Sequence, residues 1–139
     1  MNEVILGRAH DFVSLRIRAK EFPAEVDNDD AQWLRVHIVV VVGGMRASVP
    51  DATLTVGEVT GLLEDCEALI RGSERIARLD SLEEWIELVI EMNSRGGLEV
   101  RGRVQDAPRN VLDFTLEGLD QTFLPPLVDA LNTALSPYV

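Results

Sequence analysis

The sequence predicts an α+β fold: a mostly antiparallel sheet of five or more strands with two helices packed on one face, in the order β-β-β-α-β-β-β-α. Three observations predict it. Six stretches read as strands, most with the two-residue alternation of a half-buried strand. Two stretches instead space their apolar residues at helical period. Blocks of strands precede each helix, and short turns between the later strands favour antiparallel neighbours.

The elements follow in order. In Phe12–Lys20, Val13, Leu15, Ile17 and Ala19 alternate with Ser14, Arg16 and Arg18. Glu21–Asp30 is polar, contains Pro23 and reads as a loop. Gln32–Val42 is a long β-branched run, expected as a central strand buried on both faces near its end. Gly43-Gly44 marks a turn, and Met45–Pro50 returns with Met45, Ala47 and Val49 inward. Thr55-Val56-Gly57-Glu58 has capping-box spacing, and the helix it opens, Gly57–Arg71, stops at Gly72. On that helix Val59, Leu62, Leu63, Cys66, Leu69 and Ile70 share an apolar arc.

Trp85–Met92, Leu98–Gln105 and Val111–Glu117 alternate again, separated by the turn-rich segments Asn93–Gly97 and Asp106–Asn110. Symmetric closure of those turns sets Met92 opposite Leu98, Glu87 opposite Arg103, Gln105 opposite Val111 and Arg103 opposite Asp113. It also sets Glu99 between Glu91 and Glu117. The final helix begins near Pro125, where proline suits a first turn, and runs to Leu135. No internal repeat or linker is visible in the sequence.

The 139 residues suit one domain, residues 1–139. The lone Cys66 and the absence of a basic, apolar leader at Met1–Arg8 point to the cytoplasm. The longest apolar run, Ile38–Val42, is far too short for a membrane span. Heavy use of arginine (Lys20 is the sole lysine) suggests a GC-rich bacterial genome. The net charge of −11 argues against direct nucleic-acid binding and for attraction to basic surfaces.

Motifs for catalysis, cofactors or metals are missing. His10 and His37 stand apart, and His37 reads as a sheet histidine that is satisfied locally. There is no phosphate-binding or dinucleotide glycine loop. Asp27-Asn28-Asp29-Asp30 starts like a calcium loop, yet Gln32 and Ile38 occupy the places where glycine and glutamate are needed. Cys66 falls on a core face, away from any activating cation. The expectation is therefore a protein that is not an enzyme, with no catalytic residue, cofactor or metal site.

The acids are unevenly spread. Glu21–Asp30 holds five acids and no base, and Asp51–Glu91 holds eleven acids against Arg71, Arg75 and Arg78. Two groups stand out as candidate contacts for a basic protein partner. One is Glu25, Asp27, Asp29 and Asp30 in the loop beside Phe22 and Trp33. The other is Glu91, Glu99 and Glu117 on the sheet, like charges that cost stability unless something basic approaches.

Glu21-Phe22-Pro23 is followed by the acidic loop and then by Asp30-Ala31-Gln32-Trp33-Leu34-Arg35-Val36; Asp120-Gln121-Thr122-Phe123-Leu124-Pro125 leads into the last helix. This set resembles the WapI family of bacterial immunity proteins, from about Phe12 to Leu135. The resemblance implies a protein encoded beside a large contact-dependent toxin. Such a protein protects the producing cell by binding the toxin's C-terminal domain, a tRNA nuclease in close relatives. A nuclease domain is basic where it grips RNA, so an acidic inhibitor fits it. The expected partner is thus a basic toxin domain, with no direct nucleic acid and no membrane. A homo-oligomeric or scaffold protein joined through its open sheet face is the alternative, and a small-ligand binder a third.

Overall fold

The computed structural model describes residues 3–139, so Met1 and Asn2 of the Met1–Arg8 stretch lie outside the described residues. The order is β1 (Glu3–Arg8), β2 (Asp11–Lys20), β3 (Trp33–Val42), β4 (Met45–Thr55), α1 (Val56–Arg71), β5 (Ile76–Asp80), β6 (Ile86–Met92), β7 (Gly97–Gln105), β8 (Val111–Asp120) and α2 (Leu124–Leu135). The α+β class and the antiparallel pairing stand as read from the sequence. In place of one sheet, however, the strands form two, ordered β1-β2-β3-β4 and β5-β6-β7-β8. Each sheet is an antiparallel meander followed by a helix, so the topology repeats where the sequence does not.

Two strands escaped the sequence reading. β1 carries only Val4 and Leu6 inward, and β5 only Ala77 and Leu79. Runs with two buried apolar residues give little signal against charged neighbours. β4 runs on past Pro50 to Thr55, through a register shift against β3 between Val36 and Ile38. That bulge places Ala52 and Leu54 on the buried face. β3 is buried on one face only: Leu34, Val36, Ile38 and Val40 are 0% exposed, whereas Val39, Val41 and Val42 are half-buried.

Both sheets turn their apolar faces to a continuous core that the helices complete. At its centre Val4, Leu6, Val13 and Leu15 of the first sheet meet Leu88 of the second, with Leu62 of α1 and Leu127 of α2. α1 packs on α2 and along β5, and α2 packs along β1. Each helix therefore covers the first strand of the other sheet. On α1, Val59, Leu62, Leu63, Cys66 and Leu69 are buried as the arc requires, but Ile70 is 48% exposed.

The capping box at α1 is complete. Thr55 Oγ1 accepts the Glu58 N–H at 3.0 Å, and Glu58 Oε1 accepts the Thr55 N–H at 2.7 Å. Glu58 Oε2 also accepts the N–H of Leu82, tying the helix start to the loop after β5. Gly72 ends the helix in the left-handed region at φ 77 and donates to the Leu69 carbonyl. Thr55→Ala is expected to lower the unfolding free energy by about 0.5–2 kcal/mol. Urea unfolding checks this; an unchanged midpoint would mean the cap contributes nothing.

Candidate partner-binding surfaces

The meander β6-β7-β8 has the register the turns imply. Met92 faces Leu98, Glu87 faces Arg103 and Glu91 faces Glu99. Gln105 faces Val111, and Arg103 faces Asp113. Arg103 grips Asp113 with two hydrogen bonds, Nε to Oδ1 at 2.7 Å and Nη2 to Oδ2 at 3.2 Å. That pair holds the Asp113 carboxyl below its ordinary range and raises the guanidinium further.

The third expected pairing departs. Between Leu98 and Val100 the register slips, so that Glu117 and Gly118 together span the place opposite Glu99. Gly118 adopts φ 74, which a side chain would disfavour. β8 also runs past Glu117, where the sequence pattern ended it, to Asp120, so Gly118 lies inside the strand. Glu99 and Glu117 still line one shallow hollow of about 500 Å³ on the outer face of the sheet. Arginines reach this row. Arg101 lies 3.6 Å from Glu91. Arg8, the last residue of β1, donates to the Gly118 carbonyl at 2.6 Å and stands 5.3 Å from the Phe123 ring centroid.

The acidic loop occupies another end of the molecule. Asp27, Asp29 and Asp30 are exposed and Glu25 is half-buried. Lys20 Nζ donates to the Glu25 carbonyl at 2.9 Å, and Asn28 caps a single 3-10 turn over Asp29–Gln32 by accepting the Ala31 N–H. Asp27 sits in the left-handed region at φ 60, a conformation aspartate tolerates better than most residues. Phe22 is 42% exposed, while Trp33 is half-buried at the start of β3. The loop follows Lys20 at one end of β2, and Arg8 pairs with Asp11 at the other end. About 30 Å of strand separates the two acidic groups. They are two surfaces rather than one.

Several polar residues have local tasks. His37 Nε2 is 2.8 Å from Ser48 Oγ across β3 and β4, which satisfies the ring. Asp106 accepts from the side chain and backbone of Asn110 and from the Arg109 backbone, and these bonds lower its pKa. Asp120 is lowered likewise by the Thr122 hydroxyl and N–H at the approach to α2. Burial, with help from Asp65 and Glu67, pushes the Cys66 thiol up to about 12. Among the described residues no three His, Cys, Asp or Glu side chains gather as a metal site would need. No helix among them is long and apolar enough to cross a membrane.

Sequence reasoning missed a third surface. The starts of β4 and β8 converge on a cleft of about 450 Å³, with Met45 and Val111 exposed at its rim. Its two walls come from different sheets, and a single-sheet reading could not bring them together.

These features define an acidic α+β protein whose ionisable side chains form surface pairs, caps and turns around a closed apolar core. The chain belongs to the immunity protein WapI-like family, which matches over residues 4–139. No curated protein matches it. A crystal structure of Trypanosoma brucei MRP1/MRP2 is similar at 14% identity with a TM-score of 0.49, covering 97% of this chain and 83% of that one.

Proposed function

We propose that this protein binds and neutralises the C-terminal toxin domain of a contact-dependent bacterial toxin, and that the domain is basic. Membership of the immunity family carries this reading. The net charge of −11 supports the choice of a basic partner, because long-range attraction speeds encounter between oppositely charged proteins. A nuclease domain acting on tRNA would supply such a surface. The protein acts by covering the domain, as one folded unit and without chemistry of its own, in the cytoplasm of the cell that makes it.

A stable interface occupies about 800 Å² per partner. That is near a tenth of the 7758 Å² surface, so a single patch of this size does not span both acidic groups comfortably. The test is direct. The C-terminal domain encoded by the adjacent toxin gene is expressed with and without this protein, and growth, complex formation and association rate are measured. Protection from killing and a one-to-one complex that forms more slowly at high salt are expected. Reversing Asp27, Asp29 and Asp30 to Lys, or replacing Glu91, Glu99 and Glu117 by Gln, distinguishes the two surfaces. The set that forms the contact slows association about tenfold at low salt. Failure of the wild-type protein to bind or protect would overturn the reading. Wild-type rates in both variants would remove both acidic groups from the interface.

A further inference from the structure

A four-stranded open sheet has two edges, and two such sheets have four. Exposed edges present unpaired backbone groups and invite another strand. Here α2 lies along β1 and α1 lies along β5. The β5 edge is tied down further, since the Arg78 N–H donates to Asp65 of α1 at 3.1 Å. β4 and β8 are the opposite edges. β4 touches α1 where it runs into that helix, and among the described residues neither α1 nor α2 packs along β8.

The pairing determines which β4 groups point outward. The two-residue turn Gly43-Gly44 joins Val42 to Met45, and the residues that close such a turn are hydrogen-bonded to each other. Alternation then makes Ala47 and Val49 bond to β3. It leaves Arg46 and Ser48, opposite Val41 and Val39, with their N–H and C=O directed away from it. Pro50, which lacks an N–H, and the bulge beside it end this free stretch. The open edge is thus a short window from Met45 to Val49.

The 450 Å³ cleft lies beside that window, with apolar walls from Met45, Ala47, Val49, Val104, Val111 and Leu112. Four free backbone groups on one strand and an apolar cleft beside it are what strand addition uses: main-chain bonds give affinity, and alternate side chains fill the cleft. We propose that the β4 edge, with the cleft between β4 and β8, receives an extended segment of a basic partner protein as an added strand. A second copy of this chain would be the other source of a strand. Two copies each carrying −11 repel, whereas a basic partner is attracted, and this decides the occupant. The partner's identity rests on the toxin-domain reading above; the edge and the cleft do not.

The test uses the full chain and, as first probe, an inactive form of the adjacent toxin gene's C-terminal domain. Ser48→Pro removes one outward N–H without breaking the β3 ladder, and is expected to weaken binding by about 100-fold. Ser48→Ala keeps the N–H and loses only the bond to His37; it is expected to bind within about threefold of wild type. Because proline can disturb the fold, Met45→Lys and Val111→Lys provide a second arm at side chains already 59% and 51% exposed. Each is expected to weaken binding about tenfold with an unchanged Tm. Wild-type affinity in Val111→Lys, Met45→Lys and folded Ser48→Pro alike overturns the proposal.

If the wild-type protein does not bind the domain, the toxin reading fails and a displayed random-peptide library becomes the probe. Peptides selected on wild type that lose binding to Ser48→Pro, or to Val111→Lys where the proline variant is misfolded, support the edge. A selection that yields none, or only peptides indifferent to these changes, overturns it. Self-association abolished by the same substitutions assigns the edge to a second copy and overturns the choice of partner.

Discussion

Phe114→Ala is expected to lower the unfolding free energy by about 3–5 kcal/mol. Phe114 is 5% exposed on β8, and its ring lies over Gly102, its directly opposed partner on β7. A Cβ built on Gly102 would stand 2.3 Å from the Phe114 Cζ and 2.6 Å from Cε1. The glycine thus supplies the space, and the ring covers a backbone that no side chain of its own protects. Gly102→Ala drives a methyl group into the ring and is expected to cost about 1–3 kcal/mol. The double variant should cost less than the sum of the singles by about 1–3 kcal/mol, because the new methyl group enters room the ring has left. Urea or thermal unfolding of the four proteins checks this. Additive losses would show that ring and glycine do not share the space.

The second large effect concerns Cys66, which is 0% exposed on the core face of α1. Its thiol is raised from 9.0 to about 12, chiefly by burial and then by the charges of Asp65 and Glu67. The unfolded chain gives up this proton near pH 9, whereas the folded chain holds it to about pH 12. The contribution to stability is therefore complete below pH 9. It is lost as pH rises towards 12, at about 1.4 kcal/mol per pH unit. Cys66→Ala lacks this slope, so the difference in Tm between wild type and variant should narrow or change sign from neutral pH to pH 10. At pH 8 a disulfide reagent should label the folded protein at least about 1000-fold more slowly than the urea-unfolded chain. Rapid native labelling would place the thiol at the surface.

Local chemistry was legible where it was strong. Thr55 and Glu58 announced a cap and Gly72 a stop. Asn93–Gly97 announced a register that the structure keeps from Met92↔Leu98 to Ile86↔Val104, and Asp106–Asn110 one that it keeps from Gln105↔Val111 to Val100↔Leu116. The division into two sheets was not legible. Alternation says which side chains share a face but not which strands share hydrogen bonds, and β1 and β5 each place only two apolar residues in the core. Without β5 the three-strand meander has no separate sheet to complete. The candidate contacts fared similarly. Exposure of Asp27, Asp29 and Asp30 follows from composition alone. What stands opposite Glu99 depends on a bulge at Glu117 and Gly118, whose backbone is bonded by Arg8, a residue far away in sequence. The β4–β8 cleft depends on tertiary contact throughout, and no local pattern could have marked it.

The reciprocal covering of β1 by α2 and of β5 by α1 also sets the order of events while the chain is being made. β1 leaves the ribosome early, and its cover is encoded after everything from Arg8 to Leu124. The first sheet is complete at Thr55, and at ~5–20 residues per second it waits roughly 4–16 s for α2 to end at Leu135, with an unguarded edge. During that interval it is open to chaperones and to neighbouring nascent chains. The fold is closed only when the last helix has emerged and packed over the first strand.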